Sequence, residues 1–240
     1  MLRTARRPRA GGFYVGHRKY VRVYHLTSEQ WGLESIRRRR LKLALLEDMN
    51  DPFELLGVEL NTPEDREFFQ YQLKPEMNRT VGLLCFSRKW GNSVLWSHYA
   101  DKHRGLCLGF DIPDHLAKNV TYVGSRLKAE LENAASLTDN DSFGFRLITT
   151  KYRHWRYEDE VRLIINLAHI QPAGPIQKDG QRYFVPYCNV LALREIVIGP
   201  RSKLTKQDLM LALAPEDKGV SVIAGRLAFR SYRVVRNRAK

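Results

Sequence analysis

Two glutamates stand two positions apart at the start of a predicted strand. Residues 157–162 read Tyr-Glu-Asp-Glu-Val-Arg, and residues 160–167 alternate in the manner of a half-buried strand. Side chains at positions i and i+2 share one face, so Glu158 and Glu160 should lie roughly 7 Å apart, with Arg162 beyond them. Neighbouring carboxylates repel, so one of them should have a raised pKa unless Arg162 compensates. We interpret this pair as the catalytic centre; the alternative is the charged outer face of a strand.

A histidine and a serine stand at the ends of two other predicted strands. His25 shares the inward face of a strand over residues 20–26 with two valines, and it directly precedes a capped helix. Ser87 ends an apolar strand predicted over residues 81–87. Because a strand end beside a helix borders a cleft, both side chains are candidates for ligand binding. For His25 the alternative is a core residue with satisfied hydrogen bonds.

An aromatic stripe follows on a helix that is predicted to begin at Asn92 or Ser93. Trp96, Tyr99 and His103 stand at positions i, i+3 and i+7 of this helix. Trp96 and Tyr99 are therefore candidates to contact a bound ring. The alternative is that the whole stripe belongs to the core.

Metal-binding and phosphate-binding motifs are missing from the sequence. It contains no glycine-rich phosphate loop, no nucleophile elbow and no His-Glu-x-x-His motif. His98 and His103 are five positions apart, which does not place both squarely on one helix face, so no metal site is predicted. One alternative remains a metal-dependent nuclease that uses carboxylate ligands. Its ligands would be Asp51, Glu54, Glu158 and Glu160.

The positive charge of the chain is concentrated at its two ends. The 240 residues carry a formal net charge of +14. Residues 1–20 and residues 221–240 each hold six basic residues and no acidic one, so the middle of the chain is nearly neutral. Basic ends attract polyanions without reading sequence, which makes nucleic acid a candidate partner. The alternative is a pair of solubilising tails. A further basic cluster that could contact phosphates is Arg37, Arg38, Arg39 and Arg40.

The pattern of elements predicts an α+β fold. Helix caps are expected at Thr27, Thr62 and Thr205, each followed by an amphipathic stretch. Helices and strands do not alternate regularly, which favours a mixed, largely antiparallel sheet with flanking helices over a doubly wound sheet. Residues 1–19 are predicted to be a flexible basic arm, and residues 20–240 a single globular α+β domain.

Several protein classes are excluded by composition. No apolar run approaches the length of a membrane span, and no apolar stretch follows the basic N-terminal residues, so neither a membrane protein nor a secretory signal is predicted. The three cysteines, Cys85, Cys107 and Cys188, are widely spaced and odd in number, which favours reduced thiols over disulfides. We therefore expect a cytoplasmic protein. Its oligomeric state does not follow from the sequence.

Five short segments between residues 23 and 200 form a specific combination. They are residues 50–54 (Asn-Asp-Pro-Phe-Glu), residues 85–87 (Cys-Phe-Ser), residues 96–100 (Trp-Ser-His-Tyr-Ala), Gly105 with residues 109–111 (Gly-Phe-Asp), and Tyr152 and Trp155 with Glu158, Glu160 and Arg162. Together they resemble a bacterial family that is known as domain-of-unknown-function family 2971. The resemblance assigns no activity.

A second, weaker resemblance is to the ADP-ribosyltransferase superfamily. Its pattern has a His or Arg on an early strand, a Ser or Tyr on a middle strand and a Glu on a late strand, often within Glu-x-Glu. His25, Ser87 and Glu160, with Glu158 before it, match these places. The chain departs from the pattern in its middle motif, which is Cys-Phe-Ser where the superfamily has Ser-Thr-Ser.

This second resemblance implies that NAD is the substrate. Glu160 would hydrogen-bond the ribose 2′-OH beside an oxocarbenium-like centre, and Glu158 would orient the acceptor. His25, Ser87 and Arg162 would contribute to NAD binding, and Tyr99 or Trp96 would stack on the nicotinamide. The implied protein is an NAD-consuming transferase or glycohydrolase that acts as a toxin or in phage defence. A non-catalytic nucleic-acid-binding module is the main alternative.

Overall fold

The computed structural model describes residues 19–128, 130, 142–167 and 176–238. The predicted arm therefore lies outside the described residues, apart from Lys19. The same holds for most of a helix expected near residues 126–135 and for a loop expected at residues 138–142, apart from Ser142.

The described residues form fourteen strands and six α-helices. The strands are β1 (Tyr20–Thr27), β2 (Arg40–Lys42), β3 (Ala44–Leu45), β4 (Val81–Ser87), β5 (Leu106–Pro113), β6 (Lys118–Asn119), β7 (Thr121–Val123), β8 (Thr150–Tyr152), β9 (Glu160–Asn166), β10 (Gln177–Asp179), β11 (Arg182–Pro186), β12 (Ala192–Ile198), β13 (Ser221–Leu227) and β14 (Val234–Arg236). The α-helices are α1 (Glu29–Arg38), α2 (Pro63–Phe68), α3 (Lys74–Thr80), α4 (Ser93–Tyr99), α5 (Phe143–Ile148) and α6 (Lys206–Ala212). Among the described residues, no helix has the length and apolar character that crossing a membrane requires.

A nine-stranded sheet organises the molecule. Its strand order is β14-β13-β12-β5-β1-β4-β9-β6, with β3 paired to the side of β4. All pairs in this sheet are antiparallel except β12 with β13, which are parallel. Two small sheets, β10-β11-β2 and β7-β8, accompany it. The predicted α+β class with a mixed, largely antiparallel sheet and flanking helices is confirmed.

Both faces of the large sheet are buried. On one face, Phe86 of β4 and Leu163 of β9 pack with Ile36 of α1 and Leu209 of α6. On the opposite face, Leu83 of β4 belongs to a second cluster with residues of α3 and α5, including Met77 and Leu147. A third cluster seats Trp96 and Leu95 of α4 against Leu26 of β1 and Val197 of β12. Strands β4 and β9 therefore have no solvent-facing side, which rules out the alternative that Glu160 belongs to the charged outer face of a strand.

Local capping signals place several helix starts. Thr62 and Thr205 each form the predicted capping box with the aspartate three residues later. The first helix differs, because Ser28 and not Thr27 is its N-cap. Thr27 instead pairs with Leu106 as the last residue of β1.

The four-arginine cluster does not form one helical surface. Helix α1 ends at Arg38, Arg39 adopts a left-handed conformation as its C-cap, and Arg40 begins β2. Arg40 is buried, with its guanidinium 3.8 Å from the centroid of the Phe184 ring. Arg39 pairs with the buried Asp217. Only Arg37 and Arg38 are exposed, so the predicted four-residue phosphate contact is corrected to two.

Candidate functional site

A cleft of about 330 Å³ opens where three neighbouring strands meet helix α4. Its wall comes from β1, β4, β9 and α4 and from the segments before β4 and β9. Its lining includes five of the seven site residues that the sequence predicted and, among the residues that were not predicted, one buried lysine. These residues are His25, Ser87, Tyr99, Glu158 and Glu160, and the additional one is Lys151.

The three motif residues come from adjacent strands in the order β1-β4-β9. Ser87 is the register partner of Glu160 on β9 and of Tyr24 on β1. Residues directly opposite each other in antiparallel strands project from the same face, so Tyr24, Ser87 and Glu160 form a row across the sheet. His25 follows Tyr24 in β1, so its side chain leaves the backbone on the opposite face of the sheet.

The imidazole of His25 fills the junction between β1 and β4. Its Nδ1 lies 3.1 Å from the carbonyl oxygen of Cys85, to which it donates when protonated there, and its ring meets Phe86 edge-on at 6.1 Å. Burial lowers the pKa of His25. His25 therefore has the satisfied hydrogen bond of a core residue, and its neutral, half-buried ring also lines the cleft.

Glu160 is held as an ionised carboxylate. Arg162 Nε donates to Oε1 at 2.8 Å, Lys151 Nζ donates to Oε2 at 3.3 Å, and the Glu160 amide donates to the Tyr122 hydroxyl at 2.9 Å. Burial alone would raise the pKa of Glu160, but the cations of Arg162 and Lys151 outweigh it and hold the pKa at about 2.

Glu158 reaches the same ammonium group from a different element. It ends a 3₁₀ helix over Arg153–Glu158, and Asp159 is left-handed with φ 47°, so the prediction that both glutamates belong to one strand face is wrong. Lys151 Nζ nevertheless donates to Glu158 Oε2 at 2.8 Å, and the Tyr99 hydroxyl donates to Oε1. Burial raises the pKa of Glu158 more than these partners lower it.

The two carboxyl groups therefore have pKa values that are displaced in opposite directions. Glu160 stays ionised, whereas Glu158 takes up a proton more readily than an ordinary glutamate. Environments that separate two neighbouring pKa values assign one group to charge stabilisation and the other to proton transfer. As expected, one of the two glutamates, Glu158, has a raised pKa. Arg162 compensates the negative charge of Glu160 instead and lowers the pKa of that residue.

Arg162 and Trp96 do not reach the cleft. Arg162 is fully buried, donates to the Ile148 carbonyl at 2.6 Å and pairs with both Glu160 and Glu54. Trp96 is also fully buried, and its indole N–H donates to the Trp90 carbonyl. The predicted ligand contacts of both residues are corrected: Arg162 positions Glu160, and Trp96 belongs to the core.

Ser87 uses its hydroxyl within the protein. Its Oγ donates to the Lys89 carbonyl at 2.9 Å and accepts from the Lys89 amide at 3.2 Å, which turns the chain at the end of β4. The side chain lines the cleft while it is only 5% exposed as a residue. To contact a ligand, as the sequence predicted, the Ser87 hydroxyl would have to give up its hydrogen bonds to Lys89.

Lys151 is the central residue that sequence reasoning missed. It lies on β8, nine positions before Glu160, and its side chain is 4% exposed. It contacts Glu158 and Glu160 and lies 3.8 Å from Glu54 Oε2. No local pattern marks it, because its position depends on the pairing of β7 with β8.

The buried ionic cluster retains one excess negative charge when all its groups are ionised. It contains the carboxylates of Glu54, Glu158 and Glu160 and the cations of Lys151 and Arg162. An excess carboxylate at a cleft stabilises positive charge that develops in a bound substrate. Across the part of the chain that the structure describes, no three His, Cys, Asp or Glu side chains are grouped to hold a metal ion. The cations occupy the space between the carboxylates that the nuclease alternative would have assigned to a metal.

Comparison with known proteins identifies no relative. No family model, no curated protein sequence and no solved structure matches the chain. The two family resemblances noted in the sequence therefore stay predictions.

Proposed function

We propose that this protein is an NAD-consuming enzyme of the ADP-ribosyltransferase type, with the cleft on β1, β4 and β9 as its active site. The observation that carries the proposal is the position of Glu160. It is an ionised carboxylate that lines a cleft directly across from Ser87, with His25 on the next strand.

The reaction matches the charges of the cluster. The bond between ribose C1′ and the nicotinamide nitrogen breaks, and nicotinamide leaves as a neutral molecule with the bonding electron pair. The ribose becomes oxocarbenium-like, and Glu160 stabilises it by accepting a hydrogen bond from the 2′-OH. The acceptor then bonds to C1′ and loses a proton.

Glu158 is the group suited to receive that proton. Its raised pKa brings it closer to working pH than an ordinary carboxyl, and the Tyr99 hydroxyl and the Lys151 ammonium fix its orientation. Tyr99 is itself held by Asn50 Nδ2, which donates to its hydroxyl oxygen at 2.9 Å. With water as acceptor the same steps make the enzyme an NAD glycohydrolase.

His25 and Tyr99 supply the aromatic part of the NAD site. Both line the cleft, whereas Trp96 does not. An enzyme that depletes NAD or modifies a cellular target would serve as a toxin or a phage-defence effector, and this role is part of the proposal.

The test is nicotinamide release from NAD by the purified full chain and by Glu160→Gln. We expect the variant to lose activity by about 100-fold or more, the usual effect of removing one preorganised electrostatic group. Glu195→Gln is the matched control, because Glu195 lies on β12 of the same sheet and outside the cleft. Its activity should equal that of the wild type.

The fold of each variant is checked by thermal unfolding. Glu160→Gln removes one of the two carboxylates that pair with Arg162, so NAD binding by the variant is measured beside turnover. A folded Glu160→Gln protein that binds NAD and releases nicotinamide at the wild-type rate would overturn the proposal. So would wild-type protein that neither binds nor turns over NAD, with and without nucleic acid.

A further inference from the structure

Two aromatic rings of the hairpin between β13 and β14 are almost fully exposed. Phe229 is 90% exposed and Tyr232 is 96% exposed, far above the other aromatic residues that the structure describes apart from Tyr71. Burying such rings would remove apolar surface from water, yet here they project outward.

The loop that carries these rings is well anchored. Leu227 of β13 pairs with Val234 of β14, and the Ala228 amide donates to the Arg233 carbonyl at 2.9 Å. The Val234 amide donates to the Gly91 carbonyl at 3.0 Å, which ties the hairpin to the start of α4. The rings are thus presented by a fixed hairpin.

Arginines without acidic partners alternate with the rings. Arg226 lies over the Phe229 ring with its guanidinium carbon 4.6 Å from the centroid. Arg230 and Arg233 are exposed. Within the described part of the chain, Arg226, Arg230 and Arg233 form no ion pair with a carboxylate, so their charge is free for an external anion.

A groove of about 890 Å³ continues from this hairpin. Tyr232 and Arg233 of the hairpin line it, and so do two further basic residues, Arg156 and Lys89. The one acidic residue in its lining is Asp159, which is paired with Lys89 at 2.9 Å. Arg156 and Arg233 are therefore the cations of the groove that Asp159 does not neutralise, and the exposed ring of Tyr232 lies in the same lining.

We propose that this groove and hairpin bind single-stranded nucleic acid. Unpaired bases stack on exposed aromatic rings, and arginines contact the phosphates between them, which is how proteins hold single strands without reading sequence. A duplex stacks its base faces on one another, so it offers the exposed rings no unpaired base to stack on. The binding does not depend on NAD turnover, since Phe229, Tyr232, Arg230 and Arg233 lie outside the cleft.

The groove and the cleft share one segment of chain. Glu158 lines the cleft, while its neighbours Tyr157 and Asp159 line the groove. Tyr122 also lines the groove, and its hydroxyl accepts from the Glu160 amide. A strand bound in the groove would thus lie against the reverse side of the Glu158–Glu160 segment.

The test uses fluorescence anisotropy with a fluorescein-labelled twelve-nucleotide oligo-dT and the full chain. We expect Tyr232→Ala and Phe229→Ala each to weaken binding roughly 5- to 150-fold, the range for loss of one stacked base. Tyr71→Ala is the matched control, because Tyr71 is 73% exposed and outside the groove. It should bind like the wild type.

Two further arms separate stacking from charge. A base-free phosphodiester strand of equal length should bind more weakly than oligo-dT. The double variant Arg230→Gln/Arg233→Gln should reduce the slope of log affinity against log salt by about 1.4, since each phosphate contact to a single strand contributes about 0.7.

Equal binding of oligo-dT and the base-free strand would overturn the proposal, as would wild-type affinity in both aromatic variants. So would binding that is lost when Arg3, Arg6, Arg7 and Arg9 become Gln but is unchanged in Tyr232→Ala. Because NAD turnover is measured separately, failure of the groove and failure of the cleft give different results.

Discussion

Glu158 and Glu160 contact the same buried ammonium group although the chain turns left-handed between them. Lys151 Nζ is 2.8 Å from one carboxylate and 3.3 Å from the other. Of these two glutamates, only Glu160 pairs with Arg162, and only Glu158 accepts a hydrogen bond from Tyr99. This asymmetry separates the two pKa values, and the proposed division of labour between the glutamates depends on it.

Acid should remove the stabilisation that Glu160 provides. Its pKa is about 2 in the folded protein and 4.5 for an unperturbed glutamate, so its ionised form favours folding above pH 4.5. That contribution, on the order of 3 kcal/mol, is lost as the pH falls from about 4.5 to about 2. Urea unfolding across this range should show a steeper loss of stability for wild type than for Glu160→Gln.

The pKa shift of Glu158 should change the stability of the protein with pH in the opposite direction to that of Glu160. Because its pKa is raised in the folded protein, its ionised form costs stability at neutral pH, and this cost disappears as the pH falls through the raised value. Glu158→Gln should therefore lose stability below pH 4.5 as the wild type does.

The contradicting outcome for Glu160 is a parallel loss. If Glu160→Gln and wild type lose the same stability below pH 4.5, the ionised state of Glu160 is refuted.

Lys151→Met should destabilise the fold strongly. The change leaves Glu54, Glu158 and Glu160 buried with only Arg162 as a cation, and breaking a buried ion cluster costs about 3–5 kcal/mol. The measurement is the free energy of unfolding in urea.

Lys89→Met provides the matched comparison for Lys151→Met. Lys89 pairs with Asp159 at 2.9 Å, but its side chain is 72% exposed, so its removal should change stability by less than about 1 kcal/mol. Similar losses in the two variants would contradict the central role of Lys151.

Arg40→Ala should destabilise the protein, whereas Arg37→Ala should not. Arg40 is buried against the Phe184 ring, and losing that contact together with the packed stem costs about 1–2 kcal/mol. Arg37 is exposed, so its change should stay within about 0.5 kcal/mol. Thermal unfolding distinguishes the two. If Arg40→Ala is as stable as the wild type, Arg40 is not a structural residue, and the predicted surface cluster of four arginines would be supported instead.

Local signals made part of the fold predictable. The caps at Thr62 and Thr205 and the bounds of β4 follow from residues within a few positions of one another. The cap at Thr27 was wrong because Ser28 offers an equivalent hydroxyl, and the choice depends on how far β1 pairs with β5.

Long-range contacts decide the rest of the site. An i, i+2 pattern cannot show that Asp159 turns left-handed, so Glu158 was placed on a strand that begins two residues later. A helical stripe cannot show which way it faces, so Trp96 was nominated although it points into the core. Lys151 became recognisable only when β8 placed it among the carboxylates.

The central claim is that Glu160 accepts a hydrogen bond from the ribose 2′-OH. The most direct test compares two substrates in two proteins. Nicotinamide release is followed for wild type and Glu160→Gln, using NAD and an analogue that lacks the 2′-OH of the nicotinamide ribose. If Glu160 accepts from this hydroxyl, Glu160→Gln should slow the reaction of NAD by about 100-fold or more but that of the analogue by less than about 5-fold. Equal slowing of both substrates, or no slowing of either, would contradict the assignment of Glu160 to the ribose.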